Sequence, residues 1–406
     1  MRLARKLKIP GLITIAALSV SLAVPLGMAY LAIHASQTLA SNQDAIQQTG
    51  PIVNVVKPNS RPRIQMAILL DTSSSMDGLI DQARQQIWQV VNTFSTATQN
   101  GLNPRLEVAV YEYGNDGLAA STGYIRRVSG LTSELDQVSA ALFSLKTNGG
   151  NEYCGQVIQT AVNQLEWSQS DNDIKAIFIA GNEPFTQGPT PFREAINAAR
   201  EKGIVVNTIH AGSYEEGARS GWKDGAVLAG GNFMSIDHNQ QVTHIDAPQD
   251  KRIAELNAKL NQTYIPYGDK GRKKQERQLE QDAVSSRISA GLLAKRAESK
   301  SLSYYDNSSW DLVDAQSNGK LKLDKLNEEK LPAKMRAMNK QQRKEYLARV
   351  GAERKRIQAE IVALSKKRDA YVAEQRKKIA GQHANTVKDA LISAVRAQGK
   401  ARHFEF

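Results

Sequence analysis

Ile64-Gln65-Met66-Ala67-Ile68-Leu69-Leu70-Asp71-Thr72-Ser73-Ser74-Ser75-Met76 is the stretch that decides the fold. Residues 64–70 are almost wholly apolar and end at a cluster of Asp, Thr and Ser, as a buried strand running into a loop does. Over 79–96 the period changes, and Ile80, Ala83, Ile87, Val90, Val91 and Phe94 fall on one face of an expected helix. Asp71, Ser73 and Ser75 therefore stand on a strand-to-helix loop as Asp-x-Ser-x-Ser. One carboxylate and two hydroxyls at alternate residues converge on one side of a turn, an oxygen set suited to a small hard cation that keeps several waters. In an open α/β sheet, such a loop, outside the carboxyl end of a strand, is where ligands bind. The same residues could instead cap the helix that follows, although three oxygens exceed what a cap needs.

Outward from this loop the chain alternates. Strands are expected at 106–113, 123–128 (a short edge strand), 176–180, 204–210 and 233–236. Helices are expected at 133–144, 153–167, 192–202, 221–228 and 251–262. Strands alternating with helices of this length imply an α/β, doubly wound, mostly parallel sheet covered on both faces.

Within 64–267 the chain resembles a von Willebrand factor type A domain, whose metal-ion-dependent adhesion site begins with Asp-x-Ser-x-Ser. The resemblance implies a Rossmann-like sheet carrying a divalent cation at its top, Mg2+ or alternatively Mn2+ or Ca2+, through which a protein partner's exposed Asp or Glu is held. Relatives add a threonine from a second loop and an aspartate from a third. Here the second loop reads Thr147-Asn148-Gly149-Gly150-Asn151-Glu152, with Asn151 in the threonine's place. The third, Ile177-Phe178-Ile179-Ala180-Gly181-Asn182-Glu183, lacks the usual Thr-Asp-Gly and leaves Asn182 or Glu183 as donors. The expected metal set is Asp71, Ser73, Ser75, Asn151 and Glu183.

The 406-residue chain holds more than this domain. Arg2, Arg5, Lys6 and Lys8 precede an uncharged apolar stretch at 11–33, long enough to cross a bilayer as a helix. The basic residues would keep the N-terminus in the cytoplasm, so 1–35 reads as a membrane anchor with everything beyond it translocated, to periplasm or cell exterior. A cleaved signal peptide is the alternative. Residues 36–63, with Gly50, Pro51, Pro58 and Pro62, read as a stalk.

Beyond the domain the charge reverses. Residues 64–250 hold 11 Lys+Arg against 21 Asp+Glu, whereas 251–406 hold 35 against 19. The tail, 268–406, is rich in helix formers, with Val350, Ile357, Leu364 and Tyr371 seven apart. Arg354 and Arg368 interrupt the alternate seam, so a coiled coil, a helical hairpin and a docking helix all remain open. A basic tail outside a membrane would meet an anionic envelope polymer or lipid rather than nucleic acid. The aromatic group Tyr304, Tyr305 and Trp310 is expected to pack against neighbouring elements.

Catalytic signatures are weak. The lone Cys154 shares helical spacing with Ile158, Ala161 and Leu165, as a buried core thiol does. A hydrolase built on Ser73 or Ser75 would lack the Gly-x-Ser-x-Gly elbow and an evident histidine. His210 reads as a satisfied core or loop residue. The sequence thus points to a non-enzymatic, membrane-anchored, extracytoplasmic binding protein; the alternative is a metal-free envelope scaffold acting through its basic tail.

Overall fold

The computed structural model describes residues 61–77, 80, 88, 90–94, 96–236, 245–380 and 387–406. The expected anchor at 1–35 and nearly all of the expected stalk lie outside these residues, as does much of the helix expected at 79–96. Among the described residues no helix is long and apolar enough to cross a membrane.

Six strands form one sheet: β1 (Arg63–Asp71), β3 (Arg105–Tyr113), β4 (Ile125–Thr132), β5 (Ile174–Gly181), β6 (Val205–Ala211) and β7 (Phe233–Ile236). Their order is β4-β3-β1-β5-β6-β7. All neighbours are parallel except the edge strand β4, which runs antiparallel to β3. β1 lies at the centre, Ile68 pairing with Val110 of β3 on one side and Phe178 of β5 on the other. A central parallel strand is buried on both faces, which is why its sequence is a nearly continuous apolar run.

The two-residue period of β1 sorts its side chains into two cores. Ile64, Met66, Ile68 and Leu70 pack with Phe94, Phe178, Ile253, Trp310 and Ile357. Ala67 and Leu69 pack on the opposite face with Ile177 of β5 and with Val157, Ile158, Ile196 and Trp222 from the helices Cys154–Gln164, Phe192–Glu201 and Trp222–Leu228. Cys154 is buried and free within that second core.

The first core joins the sheet to the basic C-terminal region, whose helices include Gly271–Ile288, Ala290–Lys300, Leu312–Ser317, Lys340–Ala380 and Val387–Lys400. On the 41-residue helix Lys340–Ala380, Leu347, Val350, Ile357 and Ile361 are buried within the chain, and the heptad positions Leu364 and Tyr371 are half-buried. Leu347 and Val350 meet Leu312, Val313 and Met335 in a third cluster. Arg354 and Arg368, which the heptad pattern makes into interruptions, are buried too. Arg354 reaches Asp311 at 2.6 Å and Thr263 Oγ1 at 3.0 Å, and Arg368 pairs with Asp250. Intrachain packing and ion pairing thus take up the buried positions of this helix.

A second buried network ties the region to the domain. Arg296 donates to Asp136 and, at 2.6 Å, to Asp282; Lys300 donates to Asp282 at 2.7 Å; Tyr305 O–H donates to Asp136. Burial pushes the Asp282 carboxyl up, but Lys300 and Arg296 outweigh it and hold the group well below the usual carboxylate range. Tyr304, Tyr305 and Trp310 are buried in the first core, as their apolar bulk requires. Two short strands finish the fold, β8 (Phe404–Glu405) pairing antiparallel with β2 (Thr98–Gln99).

Candidate metal centre at the carboxyl end of the sheet

β1 delivers Asp71 to the loop. Its Oδ1 accepts the Ser73 N–H at 2.7 Å, whereas its Oδ2, fully buried, finds no hydrogen-bond partner among the described residues. Ser73 precedes a single 3-10 turn, Ser74–Met76, and makes no side-chain capping bond to it. Its hydroxyl instead lies 2.7 Å from that of Ser75, which in turn donates to Asn182 Oδ1 at 2.9 Å. The loop is held to its neighbours through backbone bonds: Thr72 N–H donates to Tyr113 O and Asn148 N–H to Thr72 O.

The second loop brings in a residue that spacing alone did not single out. Asn151 is exposed, while Glu152 is buried. Gly150 sets this placement, since at φ +133° it presses so close that a Cβ there would lie 2.2 Å from Gly114 O. Gly114, at φ +77°, is equally constrained, because its Cβ would fall 2.7 Å from both Asp71 Oδ1 and Glu152 Cγ.

The third loop supplies Asn182 and Glu183, both half-buried. Glu183 enters mainly through its backbone, its N–H donating to Glu152 Oε2 at 3.3 Å and its carbonyl accepting from Trp222 Nε1 at 2.8 Å. Its charge also bears on Glu152. The structure thus gathers Asp71, Ser73, Ser75, Glu152 and Asn182, with Glu183 at the edge through its backbone, and Asn151 is exposed on the second loop.

Burial, and then the charge of Glu152, raise the Asp71 carboxyl well above its usual range; burial raises Glu152 as well. Beneath them burial pushes the Tyr113 hydroxyl and the Cys154 thiol up. No Lys or Arg among the described residues pairs with either carboxylate. Two adjacent buried carboxylates without a counter-charge are held either by a shared proton or by a cation.

The family model for the von Willebrand factor type A domain matches residues 65–220. These residues are a von Willebrand factor type A domain. No curated protein matches the chain. Among solved structures, it is similar to the conserved hypothetical protein BatB from Bacteroides thetaiotaomicron, at 17% identity over 43% of this chain and 90% of that one, with a TM-score of 0.33. It is also similar to the SpRpn10 VWA domain, at 18% identity over 45% and 91%, TM-score 0.34. A third likeness is to proximal thread matrix protein 1 from the mussel byssus with a zinc-occupied MIDAS motif, at 13% identity over 45% and 43%, TM-score 0.32. The chain thus spans under half of that protein's length.

In this type A domain the donor set is two carboxylates, two converging hydroxyls and an amide. Among the described residues no three His, Cys, Asp or Glu side chains gather as they would around a fully protein-ligated metal. The set fits a hard cation that keeps part of its water shell and has room for an outside oxygen.

Proposed function

We propose that the protein is a non-enzymatic binding protein whose type A domain takes up a divalent cation, Mg2+ or alternatively Mn2+ or Ca2+, and through it an Asp or Glu of a protein partner. Asp71, Ser73, Ser75 and Glu152 would hold the ion, with Asn182 and Glu183 alongside. Bound there, the cation supplies positive charge and an open coordination position. The observation that carries this reading is the orphaned, buried Asp71 oxygen beside Glu152, next to two hydroxyls 2.7 Å apart.

Type A domains bind protein partners, and this one would face outward from a membrane anchored by the segment 11–33. That topology rests on the N-terminal charges and apolar run. An electron paramagnetic resonance titration of the full chain with Mn2+ tests the ion: one bound ion is expected, weakened by Ser73→Ala, and none detected would end the proposal. Extraction of membranes at alkaline pH tests the anchor, and recovery of a shortened soluble chain would replace it with a cleaved signal peptide.

A second reading is favoured by the outer side of helix Lys340–Ala380, where Lys355, Arg356, Lys366, Lys367, Lys377 and Lys378 are exposed. On that reading the helix scaffolds the protein against an anionic envelope polymer. Salt-sensitive retention on such a polymer, independent of cation, would separate it from the first.

A further inference from the structure

Asn182, which accepts from Ser75, also lines a cleft of about 530 Å³ whose other walls include His210, Glu216, Arg219 and Ser220. The cleft adjoins the candidate metal centre, and two features mark it as built to receive something. His210 is only 3% exposed, yet neither Nδ1 nor Nε2 has a hydrogen-bond partner among the described residues. The ring has little room to turn away. A Cβ on Gly212 would lie 2.6 Å from Nε2, one on Gly217 would lie 2.7 Å from ring carbons, and the Trp222 ring stands 5.7 Å off. A buried polar atom left unmet carries a desolvation cost that a ligand's hydrogen bond removes.

Arg219 is the second feature. It is exposed, its charge bears on Glu216 of the same wall, and its guanidinium makes no hydrogen bond or close ion pair among the described residues. Glu216, the acid of the same wall, is engaged by Ser213, whose N–H and O–H donate to it at 3.3 and 3.0 Å. The guanidinium fork therefore remains available to an incoming carboxylate, which it can hold with two parallel bonds.

We propose that this cleft is a second anchor for the partner: an acidic segment places one carboxylate on the cation and a further Asp or Glu on Arg219, while its chain hydrogen-bonds His210. This rests on the cation reading above. The test uses labelled synthetic peptides, an Asp and a Glu separated by zero to three glycines, each with a matched Gln version. They are titrated by fluorescence anisotropy into the full chain in Mn2+, and Mn2+ binding is measured on the same preparation. At one spacing the Glu peptide is expected to bind roughly two- to fivefold more tightly than its Gln match, the gain of one exposed ion pair. Arg219→Gln should erase that difference without altering Mn2+ binding, and His210→Phe, which keeps an aromatic ring but no polar atom, should weaken both peptides. If Mn2+ binds but Glu and Gln peptides are equal at every spacing, if no peptide binds, or if the preference survives Arg219→Gln, the second anchor is overturned and the cation site stands. If Mn2+ does not bind, the cation reading falls and the anchor with it.

Discussion

Replacing Arg354 by Met separates two accounts of the basic helical region by the sign of the effect. In a self-associating coiled coil an arginine on the seam is a defect, and an apolar side chain there strengthens the helix pairing. In this structure the guanidinium is 3% exposed and bridges Asp311, which is fully buried, Asp314, and the hydroxyl and carbonyl of Thr263, while lying 4.3 Å over the Tyr264 ring. Arg354→Met would leave the Asp311 carboxylate buried without a counter-charge, a loss of about 3–5 kcal/mol. Asp311 would still accept from Ile265 N–H at 2.6 Å and Asp314 N–H at 2.9 Å, which favours the lower end of that range. The assay is urea unfolding of the full chain, read as the midpoint at constant slope. Adding Asp311→Asn to Arg354→Met removes the orphaned charge and should restore a substantial part of the loss. A single variant as stable as the wild type, or more so, would refute the docking role given to Arg354.

Other consequences are independent of that network. Gly114→Ala should cost more than about 1 kcal/mol, because the backbone is left-handed there, and should also weaken cation binding, because the new Cβ meets Asp71 and Glu152. Gly319→Ala is the control: φ is +65° but nothing lies within 4 Å, so calorimetry should find strain without a change in cation affinity. His210 supplies a pH dependence. Burial lowers its affinity for a proton, against an opposing pull from Glu216, so the unfolded chain takes up a proton where the folded one resists. Stability should therefore fall as pH drops through about 6.5, the ordinary histidine value, and His210→Phe should flatten that part of the profile. An unchanged slope would mean the ring is protonated equally in both states.

The sheet was legible because its signals are local. A seven-residue run, apolar except for Gln65 and ending in Asp-x-Ser-x-Ser, places β1 and its loop, and the alternation of periods places β3, β5, β6 and β7 in the same sheet. The helix Tyr214–Arg219 is too short to show a period, and its only local signal is the capping box of Ser213 with Glu216. What sequence could not supply is which distant groups meet. Arg354 and Asp311 are 43 residues apart and Arg368 and Asp250 are 118, so a heptad pattern registers only the arginines and not their acids. The two-residue pairing of β2 with β8 is too short to carry any periodicity. At the metal centre, Asn151 and Glu152 are adjacent and both bear oxygen. The left-handed backbone at Gly150, set by close approach to Gly114, accompanies the inward turn of Glu152 rather than Asn151. For His210, burial is visible in a strand pattern, whereas a missing hydrogen-bond partner is not.

The cation itself is tested most directly by thermal unfolding of the full chain, wild type and Asp71→Asn, first in chelator and then with Mg2+, Mn2+ or Ca2+. In chelator, Asp71→Asn should melt no lower than the wild type, since it removes one of two crowded carboxylates while keeping an oxygen for Ser73 N–H. On adding cation the wild type should gain stability by mass action, about 2.7 kcal/mol at a hundredfold excess over the dissociation constant, and Asp71→Asn should gain none. A wild-type melting temperature indifferent to all three cations, or a variant that gains as much as the wild type, would contradict the account.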